Sequence, residues 1–185
     1  MKMKKYLLFL ALILCTLSVR AQENKITVSG GYVFTNIEDV DVNANGFRIN
    51  ALFEYNPMGG KFAQGISVGY IQTKATYTSM LQTSDYKITT VPYYYAPKFL
   101  FGSESFKGFI KGALGMHSSW YERTGALGEV TDRSWGFYGG AGLGLMKNFN
   151  DKIFITAEYE WAYMSNAYYR YGFVNTISGG IGFNF

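Results

Sequence analysis

The chain has 185 residues, the length of a single domain, and a formal net charge of +4. Its only cysteine and four of its 17 basic residues lie within the first 21 positions, so residues 22–185 have no thiol and carry 13 basic and 13 acidic residues. The missing thiol excludes disulfide and thiolate chemistry in that part, and the balanced charge leaves no basic patch that would bind nucleic acid.

The first predicted element is an export signal. Lysines at positions 2, 4 and 5 precede an apolar stretch over 6–17, and Val19 and Ala21 occupy the positions before a cleavage site. The apolar stretch is shorter than the roughly 20 residues of a membrane-spanning helix. We therefore predict that residues 1–21 are a cleaved signal peptide and that residues 22–185 form one exported domain.

After Gln22, apolar and polar residues alternate with a period of two, which is the pattern of β-strands with unlike faces. In the second of these segments, Phe47, Ile49 and Phe53 alternate with Arg48 and Glu54. No segment keeps the apolar period of a helix for three turns. The eight predicted strands cover 25–36, 46–56, 62–77, 87–101, 106–121, 134–147, 152–165 and 172–185.

The connections between these strands alternate between short turns and mostly longer loops, as in an up-and-down barrel of a bacterial outer membrane. Most of the strands have about 11 to 15 residues, whereas a tilted strand needs roughly 9 to 11 to cross a membrane. We predict an all-β fold, an eight-stranded antiparallel up-and-down transmembrane β-barrel with both chain ends on the periplasmic side. The short turns are 56–61, 102–105 and 147–151, and the longer loops are 36–45, 74–86, 122–133 and 165–171.

The composition of the two strand faces indicates which one meets lipid. One face is aliphatic and aromatic, and the other carries many glycines and small polar residues with a few charges, unlike the charged surface of a soluble barrel. Charges removed from water need partners. We therefore predict a structural ionic network in the barrel lumen. Its members are Arg48, Lys98, Lys111, Glu54, Glu158 and Glu160.

The last strand ends with Ser178, Gly180, Phe183 and Phe185, a pattern that resembles the C-terminal β-signal of outer-membrane proteins. Together with the signal peptide and the eight strands, this makes the chain similar to the small OmpA/OmpX-like outer-membrane β-barrel family, in the barrel domain only. The resemblance implies a location in the bacterial outer membrane. It also implies that outer-membrane lipid surrounds the protein and that the barrel-assembly machinery recognises its last strand during insertion.

Two polar pairs leave an enzymatic function open. Glu158 and Glu160 are roughly 6 to 7 Å apart on one strand face, a gap that occurs in glycoside hydrolases, although ion pairing inside the barrel is the favoured interpretation. His117 and Ser119 faintly resemble the His and Ser of the lipid A deacylases, but their alternation places them towards the lumen. Because His117 is the only histidine, a histidine-cluster metal site is excluded.

The favoured function is a non-enzymatic, monomeric outer-membrane scaffold without cofactors, whose four extracellular loops contact an unknown partner. The alternatives are the deacylase-like enzyme with His117 and Ser119, and a small-solute channel. One loop feature has two interpretations. The tyrosine-rich run at 168–171 either stacks on a partner or sugar, or belongs to the outer aromatic belt, and the belt is favoured.

Overall fold

The computed structural model describes residues 23–38, 40, 42–56, 60–79, 83–126 and 128–185. The predicted signal peptide at 1–21 lies outside the described residues. No helix in the described part of the chain is long and apolar enough to cross a membrane.

Nine antiparallel strands make up a single sheet. Strands that follow one another along the chain pair with each other, except β4 and β5, which both pair with β3 and β6. β1 also pairs with the last strand, so the sheet closes into a ring. The strands are β1 (Glu23–Ile37), β2 (Asn43–Asn56), β3 (Phe62–Thr78), β4 (Thr83–Tyr95), β5 (Lys98–Gly102), β6 (Phe106–Gly125), β7 (Gly128–Asn148), β8 (Ile153–Met164) and β9 (Tyr169–Asn184).

β4 and β5 are two halves of one crossing. They lie end to end between β3 and β6, and the break falls at Ala96 and Pro97, where the proline ring has no N–H to donate to the sheet. The Ala96 amide still donates to the Gly65 carbonyl at 2.8 Å, and the Pro97 carbonyl accepts from the Gly112 amide at 2.8 Å. The ring therefore has eight crossings, which confirms the predicted eight-stranded antiparallel barrel.

The two faces of the wall differ as their composition predicts. Large apolar side chains point away from the barrel axis, and Ile66 (70% exposed) and Leu143 (60% exposed) are typical of them. The alternate positions on the same strands are buried inside, for example along β3, where exposed and buried residues alternate over most of its length. A protein that exposes so much apolar surface in a continuous band needs hydrocarbon around it.

The two ends of the barrel differ in how far the strands extend. The end where Asn24 and Phe185 pair carries the short turns and is called the turn end; the opposite end is called the loop end. At the loop end, β6 and β7 pair as far as Gly125↔Gly128, whereas β7 and β8 begin to pair only at Tyr138↔Met164. The prediction of a long loop at 122–133 is therefore wrong, because most of these residues continue β6 and β7 as a hairpin.

A four-stranded sheet consequently rises above the rest of the rim. It consists of residues 75–78 of β3, 83–86 of β4, 122–125 of β6 and 128–136 of β7, and it is called the projecting sheet. Its base packs on aromatic rings. Tyr121 stacks on Tyr168 with ring centroids 4.8 Å apart and contacts Tyr86 at 6.1 Å. The sheet thus extends the barrel core instead of forming a separate unit.

Candidate functional site: the barrel interior and the projecting sheet

Arg48 of β2 lies at the centre of the interior. Its Nη1 is 2.5 Å from Oε1 of Glu160 on β8, and its Nη2 donates a hydrogen bond of 2.7 Å to the Tyr94 hydroxyl. The Tyr138 hydroxyl accepts from Arg48 at 3.2 Å and donates to the same Glu160 oxygen. All four residues are buried. Because each charged group has several polar partners, the desolvation of the ions is offset by hydrogen bonds.

Lys111 of β6 connects this centre to a second carboxylate. Its ammonium group donates to Oε2 of Glu160 at 2.6 Å and also forms an ion pair with Glu158. The Tyr94 and Tyr138 rings stack beside it with centroids 4.8 Å apart. The interior network therefore joins two cations, two carboxylates and two tyrosines contributed by five strands.

A separate ion pair lies nearer the turn end. Lys98 Nζ is 2.7 Å from Glu54 Oε1, and both side chains are buried. The same ammonium group lies over the Phe109 ring, 4.5 Å from its centroid, where a cation is attracted to the aromatic face. The six charged residues that the sequence predicts in the lumen thus form two groups, with Lys98 and Glu54 apart from the other four.

The interior leaves little free space. The gap lined by Arg48, Lys111, Glu158 and Glu160 has a volume of about 10 Å³, about the smallest cavity that holds one water molecule. Glu158 and Glu160 share Lys111 as a cation partner, so neither carboxylate stands free to act as a catalytic acid or base. A sugar has no room there.

The sequence interpretation missed the tyrosines of this network. Tyr94 and Tyr138 are not among the residues that the sequence predicts for the lumen network. The alternation of their strands could have identified both tyrosines, since a tyrosine at an inward position of a charged lumen needs a hydrogen-bond partner for its hydroxyl.

Gly142 makes room for one member of the network. A Cβ there would lie 2.8 Å from Glu158 Oε1, so the missing side chain makes room for that carboxylate.

His117 and Ser119 lie inside the upper part of the barrel and are fully buried. The Nε2–H of the His117 ring donates to the Ser165 carbonyl at 2.7 Å, and Nδ1 is hydrogen-bonded to Ser119 Oγ at 3.0 Å. Ser119 Oγ is in turn 2.8 Å from Thr90 Oγ1. These hydrogen-bonded side chains lie on the inner side of the barrel wall, whereas a lipid-cleaving pair would need to face the lipid.

In the projecting sheet, β7 has an unpaired edge. Among the described residues, 128–136 have no ladder partner on the side opposite β6, and Gly128–Arg133 are exposed on both faces. In the lower part of this edge, Arg133 lies between two indole rings, with its guanidinium carbon 5.0 Å from the Trp120 centroid and 5.1 Å from that of Trp135. The aromatic belt thus overlaps the lower part of the free edge, and residues 128–132 extend beyond it.

The C-terminal residues that resemble a β-signal lie in the closing strand. Phe183 stands opposite Ile26 of β1 and Ile153 of β8, on the outer face, and Phe185 contacts Phe53 with ring centroids 6.4 Å apart. Ser178 and Gly180 occupy the alternate, inward positions of β9. Among the described residues, no group of three or more His, Cys, Asp or Glu is arranged to hold a metal ion.

The sequence matches the outer membrane protein beta-barrel domain family over residues 7–185, nearly the whole chain. The chain belongs to this family. It is therefore a bacterial outer-membrane protein, and its barrel is of the OmpA/OmpX type that the terminal motif indicates. No curated protein matches the sequence.

Solved structures of this family have the same fold. Neisserial surface protein A (NspA) is similar with a TM-score of 0.65 at 14% identity, over 88% of this chain and 97% of that one. Ail, the attachment invasion locus protein of Yersinia pestis, is similar with a TM-score of 0.54 at 20% identity, over 88% of this chain and 99% of that one. At these identities the likeness shows the fold alone.

Proposed function

We propose that the protein is a non-enzymatic, monomeric surface scaffold, anchored by a closed barrel, that contacts an extracellular partner through its loop end. The free edge of β7 in the projecting sheet carries this proposal. An unpaired strand edge offers a row of backbone N–H and C=O groups, on which an extended segment of a partner adds a further strand. The name of Ail refers to attachment, which is consistent with a contact function on this fold.

The closed interior supports the anchor part of the proposal. Arg48, Lys111, Glu158 and Glu160 leave a gap of about 10 Å³ between them at the centre of the lumen, which weighs against a solute channel at that level. His117 and Ser119 are buried and hydrogen-bonded, which weighs against their use as a lipid-cleaving pair. These observations on the described residues favour the scaffold over the channel and the enzyme alternatives.

We also propose that residues 1–21 are removed on export, that residues 22–185 are the mature barrel domain, and that Ser178, Gly180, Phe183 and Phe185 are read by the barrel-assembly machinery. Two features support this role. The edge of β9 is available to other proteins until β1 pairs with it. Phe183 and Phe185 also lie on the outer face of this strand, where another protein can contact them.

A hairpin-shortening variant tests the proposed contact surface. Tyr121 and Asp132 are opposite each other in the β6–β7 register, so residues 122–131 can be replaced by Asn-Gly, which closes a two-residue turn. Cells that display this variant should adhere less to immobilised extracellular matrix proteins than cells that display the parent chain. A shift in gel mobility on boiling shows that the variant barrel is folded. Equal adhesion of the two strains, or no adhesion by either, would contradict the proposal.

A further inference from the structure

The free edge of β7 presents the backbone groups of alternate residues. At the foot of the edge, the Ser165 amide donates to the Phe137 carbonyl at 3.0 Å, and the Phe137 amide donates to Ser165 Oγ at 2.8 Å. Both backbone groups of Phe137 thus point to this side of β7. The register with β6 continues without a shift up to Gly128. Odd-numbered residues therefore present their N–H and C=O groups to the edge, because these groups alternate between the two sides of a strand.

The edge is covered at its base and open above it. Ser134 Oγ donates to a backbone carbonyl of the segment that follows β8, which closes the wall at this height. The Arg133 amide donates to Asp132 Oδ1 at 2.8 Å, so only the Arg133 carbonyl is left for a partner. The backbone groups of Glu129 and Thr131 have no backbone partner on this side among the described residues. An added strand thus finds two N–H and three C=O groups.

The outer face of the edge carries one charge of each sign. Trp135, which is 52% exposed, shows that odd-numbered residues of β7 point outward. Glu129 and Arg133 consequently lie on the same face, roughly 13 Å apart by strand rise. Neither side chain has an ion-pair partner among the described residues. Their neighbours on β6, Thr124 and Trp120, are uncharged, so both charges are available at the edge.

An extended segment that pairs with this edge places its own side chains opposite these charges. Cβ atoms of opposite residues in an antiparallel pair are about 4.5–5.5 Å apart, a distance at which unlike charges attract and like charges repel. In an antiparallel partner, the residue opposite Arg133 comes four positions before the residue opposite Glu129. A partner that matches both charges therefore has Asp or Glu, followed four positions later by Lys or Arg.

We propose that the free edge of β7 binds an extended segment of another protein, in antiparallel orientation, with the motif acid-x-x-x-base. This assignment rests on the proposed function and adds the chemistry of the partner. Backbone hydrogen bonds at Glu129 and Thr131 hold the segment, and the two charge pairs define its register and direction. A slip by one residue moves both partner charges to the other face of the sheet, and parallel pairing is slightly less stable.

A neighbouring copy of the barrel does not supply this segment. The edge itself contains the motif, with Glu129 four positions before Arg133. However, β7 runs from the loop end towards the turn end in every copy, so two barrels in one membrane present edges that run in the same direction across it. Antiparallel pairing needs opposite directions. The bound segment therefore reaches the edge from outside this membrane.

Two labelled peptides with opposite charge order test the motif on the full, detergent-solubilised barrel, with binding followed by fluorescence anisotropy. One contains Glu-Thr-Val-Thr-Lys and the other Lys-Thr-Val-Thr-Glu, each with the same threonine residues at both ends. The parent barrel should bind the first about tenfold more tightly, because both charge pairs attract in one order and repel in the other. The peptides have the same composition and net charge, so non-specific attraction does not distinguish them.

A charge exchange in the edge should reverse this preference. Glu129→Arg combined with Arg133→Glu keeps the net charge of the chain and should bind the second peptide more tightly. Lys87→Glu with Glu122→Lys is the matched control, since it exchanges a half-exposed ion pair of 3.0 Å between β4 and β6, away from the free edge. This control should keep the preference of the parent. A shift in gel mobility on boiling shows that each variant is folded.

The assignment is overturned if the parent binds neither peptide or binds both equally. It is also overturned if the charge exchange in the edge keeps the parent's preference, or if the control exchange removes that preference. Adhesion of the hairpin-shortening variant separates this failure from failure of the proposed function. Lost adhesion together with equal peptide binding overturns the motif alone, whereas unchanged adhesion contradicts the contact surface itself.

Discussion

The Arg48 guanidinium of β2 reaches the Glu160 carboxylate of β8 across the barrel, with Nη1 and Oε1 2.5 Å apart. β1 and β9 lie between these two strands in the ring. The pair therefore connects two strands, β2 and β8, that share no backbone hydrogen bonds.

Removal of one member of this pair should destabilise the barrel strongly. Glu160→Gln leaves Arg48 and Lys111 with a buried positive charge and only Glu158 as a carboxylate partner, and breaking a buried ion pair costs about 3–5 kcal/mol. Urea unfolding from lipid vesicles, followed by tryptophan fluorescence, measures the free energy of unfolding. Glu122→Gln is the control, because it removes the half-exposed Lys87–Glu122 pair (3.0 Å) and should cost at most about 1 kcal/mol. Equal losses in the two variants would show that the interior pair has no special role.

The interior network should also block ion flow. The parent barrel in a planar bilayer is expected to show little or no single-channel conductance, whereas the Arg48→Ala and Tyr138→Ala double variant, which opens the centre of the lumen, should conduct measurably more. Trp135→Ala, on the outer wall, should leave the conductance at the parent level. A parent barrel that already conducts as well as the double variant contradicts the closed interior.

Much of the fold could be predicted from the sequence because its determinants are local. The two-residue alternation defines both the strands and the face of each side chain, so the eight crossings and the inward positions of Arg48 and Glu160 follow from counting. Which charges meet does not follow from counting. The pairing of the charges depends on the tilt and stagger with which the ring closes, and these bring Arg48 of β2 within reach of Glu160 of β8.

Two other features could not be predicted for a similar reason. The hairpin that replaces the predicted loop at 122–133 has mostly polar residues and is exposed on both faces over Gly128–Arg133, so it lacks the alternation that identifies a strand beside a core. Residues 170–173 of β9 stand opposite a single residue of β1 and form a bulge. This bulge depends on the left-handed backbone conformation of Tyr171 and Gly172, which the tyrosine-rich run at 168–171 does not predict.

The orientation of the wall predicts how charge is tolerated on the two faces. Leu143, 60% exposed on the outer face of β7, should accept arginine poorly, since a cation on the lipid face near the bilayer centre costs about 2–4 kcal/mol. Lys147→Arg keeps a cation on the same face of β7 close to the turn end and should change the free energy of unfolding very little. The same urea titration measures both. A Leu143→Arg variant as stable as the parent would mean that this face does not meet hydrocarbon.

The burial of His117 predicts the outcome of a direct test for lipid A modification. Expression of the parent chain should leave the acyl pattern of lipid A unchanged, as should His117→Ala, when total lipid A is compared with that of the empty host by mass spectrometry. His117→Ala should instead reduce the stability of the loop end, because the ring joins Ser119 of β6 to the Ser165 carbonyl that follows β8. Hydrogen exchange at residues 165–168 should therefore be faster in the variant, since the Ser165 carbonyl loses its partner. Loss of acyl chains in cells with the parent chain, reversed by His117→Ala, would establish the enzyme alternative against the scaffold.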